Sequence, residues 1–241
     1  MPACLFCKSS KLTKEHIWPV WIRDLFPTQD YDAARRSRFT GVDKTWKQST
    51  IDRTCRCVCG PCNNGWMSEI ETRVRPALTP LLLGRVPELG KGNQRRLAVW
   101  ACLRFYILES STDSNFVRYS SPAERLMFRT NHQRIPTGNT IVWLGMLPDD
   151  LAESAYNRIQ TRIERKDAVA IYTCFIGRAA FQVLQWKGSL PTIHGSPINS
   201  TKLLHGWHGR LIEIWPNHFT GRKPFPRALT FTEAEALFAR F

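Results

Sequence analysis

The chain has 241 residues, of which 43% are hydrophobic and 11% aromatic, with nine Trp. This composition supports a substantial core and excludes disorder as the main state. A net charge of +14 favours a polyanionic partner, nucleic acid above all, over a charge that only keeps the protein in solution. No segment approaches the ~18 apolar residues of a membrane-spanning helix, so we expect no membrane partner.

The N-terminal stretch MPACLFCKSSKLTKEHIW has no apolar segment behind a basic start. It therefore does not predict a secretory signal, and we expect a cytoplasmic protein. In a reducing compartment, closely spaced cysteines are more often metal ligands than disulfides. Eight cysteines are present; the two in apolar segments, Cys102 and Cys174, are predicted to be buried and inert.

Two C-x2-C pairs predict a metal site. Their members are Cys4, Cys7, Cys59 and Cys62. Together they supply the four thiolates of a tetrahedral Zn²⁺ site, and since four thiolates complete the coordination shell, this zinc would be structural. Cys55 or Cys57 could replace one member, but the second C-x2-C pair has the better spacing and precedes a predicted helix.

The stretch LTKEHIWP places a carboxylate, Glu15, beside His16, and Asn63 directly follows the second cysteine pair. An imidazole can accept a proton near neutral pH. Carboxylate and amide oxygens are the hard donors that hold Mg²⁺ or Mn²⁺. Neighbours in a strand point to opposite faces, so Glu15 and His16 serve one substrate only if the strand is twisted or the metal lies at its edge.

Between the cysteine pairs, YDAARRSRFTG groups Arg35, Arg36 and Arg38. Three arginines in four positions predict either a segment that contacts nucleic-acid phosphates or an ordinary solvated surface. The two interpretations stay open at this point.

After the second pair, NNGWMSEIETRV spaces Trp66, Ile70 and Val74 four apart, which predicts a helix with one apolar face. The prolines of RPALTP should end or bend that helix. LGRVPELGKGN, with three Gly and one Pro, is the best candidate for a linker. We therefore predict a zinc-bound module over residues 1–80 and an α+β domain over residues 93–241.

The second region holds longer elements. QRRLAVWACLRFYILES predicts a long buried helix, and SPAERLMFRTN a helix that opens with a capping box of Ser121 and Glu124. Strands are predicted for NTIVWLGML, for LIEIW, and for AVAIYTCFIGRAAFQVLQW as a hairpin turning near Gly177. TFTEAEALFARF should form a last helix capped by Thr232 and Glu235. Helices mixed with neighbouring strands indicate the α+β class.

The order C-x2-C, LTKEHIWP, then C-x2-C-N at a helix start resembles the HNH (His-Me finger) endonuclease family. EHIWP is similar to the family's D/E-H-[IV]-x-P strand, and CGPCNNGW to its C-x2-C-[HN] helix start. CNNGWMSEIE followed by RPAL is also similar to HNH endonucleases of phages and bacteria. The resemblance covers roughly residues 1–75 and implies a ββα-metal hairpin and helix on a treble-clef zinc frame.

The resemblance further implies a metal-dependent endonuclease that hydrolyses phosphodiester bonds in DNA. His16 would be the general base, and Glu15 and Asn63 would hold a catalytic Mg²⁺ or Mn²⁺. The family usually has an Asn about five residues before the third cysteine; here Thr54 stands there, with Asp52 nearby. The alternative is a non-catalytic, zinc-stabilised protein that binds nucleic acid or regulates on a degenerate HNH scaffold.

Overall fold

A computed structural model describes most of the chain. The described residues are 2–26, 31–36, 43–48, 54–86, 89–111, 119–131, 139–148, 160–166, 169–188, 192–193, 196–197, 210–216, 225, 227–230 and 232–234. They form helices and antiparallel sheets, which confirms the mixed helix and strand composition. None of the described helices is long and apolar enough to cross a membrane.

Most of the described helices lie before residue 132. They are α1 (Val20–Arg23), α2 (Gly60–Cys62), α3 (Ser68–Leu82), α4 (Lys91–Ser111) and α5 (Pro122–Asn131), with a π-helical turn, Asn63–Met67, between α2 and α3. The strands are β1 (Leu12–His16), β2 (Tyr31–Arg36), β3 (Asp43–Gln48), β4 (Thr54–Cys59), β5 (Asn139–Met146), β6 (Gln160–Lys166), β7 (Val169–Ile176), β8 (Ala179–Trp186), β9 (Thr192–Ile193), β10 (Ser196–Pro197) and β11 (Ile212–Trp215).

The N-terminal part is a strand pair followed by a helix. Strand β1 pairs antiparallel with β4, with His16 opposite Thr54, and the register slips by one residue between Thr13 and Glu15. Such a bulge twists the ribbon and re-aims its side chains. The chain passes from β4 directly into α2, the π-helical turn and α3.

The larger sheet has five antiparallel strands in the order β11-β5-β8-β7-β6. The predicted hairpin is formed by β7 and β8 and turns at Gly177, whose φ is +51°. A Cβ at Gly177 would lie 2.5 Å from the carbonyl oxygen of Leu82, so the position requires glycine. The next residue, Arg178, donates its backbone N–H to the same oxygen at 3.0 Å. The hairpin turn thereby caps the end of α3.

Helix α4 is the centre of the core. Every residue from Leu97 to Leu108 is buried, as expected for a helix that is apolar all round. It packs against α3, β4 and the five-stranded sheet. The ring centroid of Trp100 lies 6.3 Å from that of Trp18 and 5.5 Å from that of Phe181. One apolar cluster therefore runs across the predicted boundary between residues 80 and 93.

One local prediction is narrowed and one needs correction. Of the two outcomes predicted for RPALTP, an end or a bend of the helix, the end does not occur, because α3 continues through Pro76 and Pro80. Each internal proline costs about 3 kcal/mol, but the same turns bury Leu78, Leu81 and Leu82, each worth ~1.5–3 kcal/mol. The last helix is also capped two residues earlier than predicted, because Thr230 and Glu233 exchange the hydrogen bonds of a capping box.

Other predictions are confirmed. The capping box of α5 forms as expected, since Ser121 N–H donates to the Glu124 carboxylate at 2.5 Å and Glu124 N–H donates to Ser121 Oγ at 3.2 Å. The long helix α4 and the strands β5 and β11 lie where the sequence places them. Cys102 and Cys174 are buried, and burial raises the pKa of both thiols, that of Cys174 to about 12.

Candidate metal centre and catalytic site

The two C-x2-C pairs meet in space. The Sγ atoms of Cys4, Cys7, Cys59 and Cys62 all lie within 4.8 Å of one another. Sulfurs bound to one zinc ion at ~2.3 Å in a tetrahedron would be about 3.8 Å apart. This metal quartet could therefore hold a metal ion such as zinc with little rearrangement.

Backbone geometry shapes the first cysteine pair. Cys4 N–H donates to Ser9 O at 2.7 Å, and Lys8 N–H donates to Cys4 O at 3.1 Å. This closes a tight turn in which Lys8 adopts a φ of +63°. Cys59 N–H points at Cys4 Sγ at 3.4 Å. The turn thus presents its sulfurs to the end of β4, where the second pair begins.

The second pair is positioned by a helix start. Cys59 has an extended backbone, and Gly60 and Pro61 open α2 with the proline in its first turn, where the missing N–H costs nothing. Cys62 follows one position later and is buried. The strand-to-helix change therefore turns both sulfurs of this pair to one side.

The thiols of the quartet are crowded enough that a bound cation would compensate the charge of their thiolates. Burial raises the pKa of the Cys7 thiol, but hydrogen bonds from the Ser9 backbone and the neighbouring thiols lower it overall to about 7. The pKa values of Cys59 and Cys62 are raised, chiefly by burial. Four crowded thiols cannot all ionise alone, whereas a soft dication such as Zn²⁺ would compensate four thiolates. The donor set therefore fits zinc.

Cys55 and Cys57 form a separate pair. Their sulfurs lie 2.7 Å apart beside the bulge in β4. Among the described residues, neither belongs to a group of potential metal ligands. The structure therefore favours the quartet over the alternative ligand sets.

His16 lies at the end of β1 and is partly exposed. Because paired residues share a face of a strand pair, Thr54 lies on the same side. Alternation along the strands adds Lys14 and Arg56, both exposed. The exposed face of the ribbon therefore carries His16 with two cationic side chains. Asp52, the other predicted brace, lies outside the described residues.

Asn63 comes close to the same strand. Its Nδ2 donates to the carbonyl oxygen of Lys14 at 3.4 Å, although the two residues are 49 positions apart. Asn63 begins the π-helical turn, inside which Gly65 leaves helical geometry with φ −96° and ψ −115°. Turns of this kind are frequent at functional sites. The fold thus brings Asn63 to the strand that ends at His16, with its Oδ1 not used in this contact.

Glu15 takes a different position from the one we expected. We predicted that Glu15 and His16 face a substrate together, but Glu15 is turned inward and is only 4% exposed. Its Oε1 lies 3.5 Å from Nη1 of Arg104. Burial raises the pKa of Glu15 to about 7, against the opposing charge of Arg104. The carboxylate of Glu15 is therefore engaged with Arg104 in the core.

The arginine-rich segment is described only in part. Arg35 and Arg36 lie on β2, which pairs with β3, and Arg38 lies outside the described residues. Neither interpretation of this segment is decided.

Arg104 is the site residue that the sequence reasoning missed. It is the only charged residue between Leu97 and Leu108, and a lone arginine inside so apolar a helix signals a buried partner. That signal does not reveal the partner, which lies 89 positions earlier at Glu15.

Comparison with known proteins adds no identification. No family model matches the chain, no curated protein matches it, and no solved structure matches it.

Proposed function

We propose that this protein is a metal-dependent endonuclease that hydrolyses phosphodiester bonds in DNA, built on a treble-clef ββα-metal frame of HNH type. One observation carries the proposal. Asn63, at the start of the helix, reaches the backbone of β1 two residues before His16, and the metal quartet lies where β4 becomes that helix. The two halves of the sequence motif thereby form one candidate site.

In this mechanism His16 removes a proton from the attacking water. Its partial exposure allows a substrate to approach, and histidine is the side chain that most often serves as a general base. Lys14 and Arg56, exposed on the same face, would hold the neighbouring phosphates. The net charge of +14 favours the same polyanionic substrate.

A catalytic Mg²⁺ or Mn²⁺ would stabilise the negative charge that develops on the reacting phosphate. Asn63 would offer its Oδ1 to this ion, since hard cations prefer oxygen ligands. Glu15, the other predicted ligand, joins only if it leaves Arg104. The zinc of the quartet would hold structure and take no part in the chemistry.

A second candidate is a non-catalytic protein that binds nucleic acid on a degenerate HNH scaffold. The ion pair between Glu15 and Arg104 favours it, because this carboxylate is then unavailable to a catalytic metal. The exposed cations beside His16 would serve binding alone.

Nicking of supercoiled plasmid by the zinc-loaded protein with Mg²⁺ or Mn²⁺ tests the proposal. We expect His16→Ala to lower the rate about 10²–10⁴-fold, the usual contribution of a general base. Asn63→Ala should raise the metal concentration for half-maximal activity, while Asn64→Ala, its exposed neighbour, should not. DNA binding without cleavage would decide for the second candidate, and equal cleavage by His16→Ala would refute the role of His16 as general base.

A further inference from the structure

Arg104 contacts the backbone on which His16 stands. It lies in the middle of α4 and is 0% exposed. Its Nη1 donates to the carbonyl oxygens of His16 at 3.2 Å and Ile17 at 2.9 Å. Its Nη2 donates to Oε1 of Glu71, on α3, at 2.7 Å. With the nearby Glu15 carboxylate, four groups from β1, the residue that follows it and α3 converge on one guanidinium.

The place of these contacts matters because β1 ends at His16. Within the described residues the last pair with β4 is His16 with Thr54, and the carbonyl groups of His16 and Ile17 both accept hydrogen bonds from Arg104. A guanidinium is planar and rigid, and its charge-assisted hydrogen bonds are about twice as strong as neutral ones. Arg104 therefore fixes the peptide planes on both sides of Ile17.

We propose that Arg104 is a positioning residue for the general base, supplying from α4 the brace that the HNH-like motif lacks. This inference rests on the proposed nuclease function. Thr54, which stands where the brace was expected, is exposed, whereas Arg104 is buried and bound to the backbone of His16 itself. The two acidic partners hold the guanidinium in place.

A contact to the backbone of His16 would affect the reaction by changing the distance between the imidazole and the reacting groups. Holding the His16 carbonyl limits the rotation of its backbone and hence the direction of its side chain. A displacement of ~1 Å at a reacting group can cost about 10²-fold in rate. The residue thus acts on the turnover step without touching the substrate.

Arg104→Lys is the main test, because it keeps the positive charge for Glu15 and Glu71 but cannot form the two-carbonyl contact and the carboxylate contact together. We expect kcat for plasmid nicking to fall about 10- to 100-fold while KM changes less than twofold. Zinc content should stay near one per chain. Arg95→Lys, an exposed change on the same helix, should leave both kinetic constants unchanged.

A second readout, which does not depend on activity, is the NMR resonance of the His16 imidazole. The ring resonance of His16, assigned by its loss in His16→Ala, should shift or broaden in Arg104→Lys and stay unchanged in Arg95→Lys. If Arg104→Lys does not fold, Glu71→Gln decides: it weakens the orientation of the guanidinium and should lower kcat three- to tenfold. The matched control is Glu69→Gln, whose side chain pairs with Arg73 on the surface.

The inference is overturned if folded Arg104→Lys keeps wild-type kcat and an unshifted His16 resonance, or if its only defect is in KM. If Arg104→Lys does not fold, an unchanged kcat in Glu71→Gln overturns the inference as well. A wild-type protein that never cuts DNA would instead refute the proposed function, and the His16 resonance would then still report whether Arg104 positions the ring.

Discussion

Exchanging single cysteines separates metal ligands from bystanders. Cys7 and Cys55 form a matched pair: each is partly exposed and each has a sulfur neighbour, Cys59 at 3.4 Å and Cys57 at 2.7 Å. Only Cys7 belongs to the metal quartet. We expect Cys7→Ala to lose zinc affinity and Cys55→Ala to keep it.

The magnitude follows from the number of ligands. A structural zinc site contributes about 10–16 kcal/mol at pH 7, so one of four equivalent thiolates accounts for ~3 kcal/mol. Since 1.4 kcal/mol corresponds to tenfold in affinity, Cys7→Ala should weaken zinc binding about 100- to 1000-fold. Neither substitution removes a fully buried side chain, so cavity effects should be small in both variants.

Competition against a chromophoric zinc chelator measures the affinity, and elemental analysis of the purified variants gives the stoichiometry. Wild type and Cys55→Ala should bind about one zinc per chain and melt at a higher temperature with zinc than after chelation. Equal losses in the two variants would refute the assignment of the quartet. So would a wild-type protein that binds well below one zinc per chain.

Three further predictions test the site and its support. Glu15→Gln should leave the Mg²⁺ concentration for half-maximal nicking within twofold of wild type, because the carboxylate pairs with Arg104; an increase of tenfold or more would identify Glu15 as a ligand. Replacing both Lys14 and Arg56 by Ala should raise KM for DNA and reduce the slope of log binding constant against log salt concentration by about two phosphate contacts. Lys11→Ala should change neither quantity. An unchanged slope in the double variant would exclude Lys14 and Arg56 from the DNA interface. Gly177→Ala should lower the free energy of unfolding by ~2–4 kcal/mol, since the φ of Gly177 is +51° and an added Cβ would lie 2.5 Å from Leu82 O. Gly188→Ala, where φ is also positive but no atom lies within 4 Å of the added Cβ, should lower it less. Urea unfolding of both variants measures the difference.

The long helix and the apolar strands of the second region were predictable because each carries its signal locally, whereas β6, of sequence QTRIERK, was not predicted. Helix α4 was evident from an unbroken apolar stretch, and the β7–β8 hairpin from two apolar runs around Gly177. The continuation of α3 beyond Pro76 has the opposite cause. Pro76 and Pro80 are local stop signals, and only packing of the same turns in the core overrides them.

The pairing of cysteines was also predictable, because the C-x2-C spacing restricts which sulfurs can converge. The direction of the Glu15 side chain was not. In sequence, Glu15 and His16 are equivalent candidates. In the structure, β1 alternates its side chains just after the register shift between Thr13 and Glu15, so that the carboxylate points into the core and the imidazole lies near solvent.

The sequence by itself determined the residues of the quartet, the candidate base and the main elements around them, since spacing and periodicity act over a few positions. Only the tertiary structure decided what surrounds the base. Arg104 lies 88 positions after His16 and meets its carbonyl group only because α4 is buried against the N-terminal strand pair and α3. A contact of that range depends on how whole elements pack, because the burial of residues 97–108 leaves Arg104 without access to solvent.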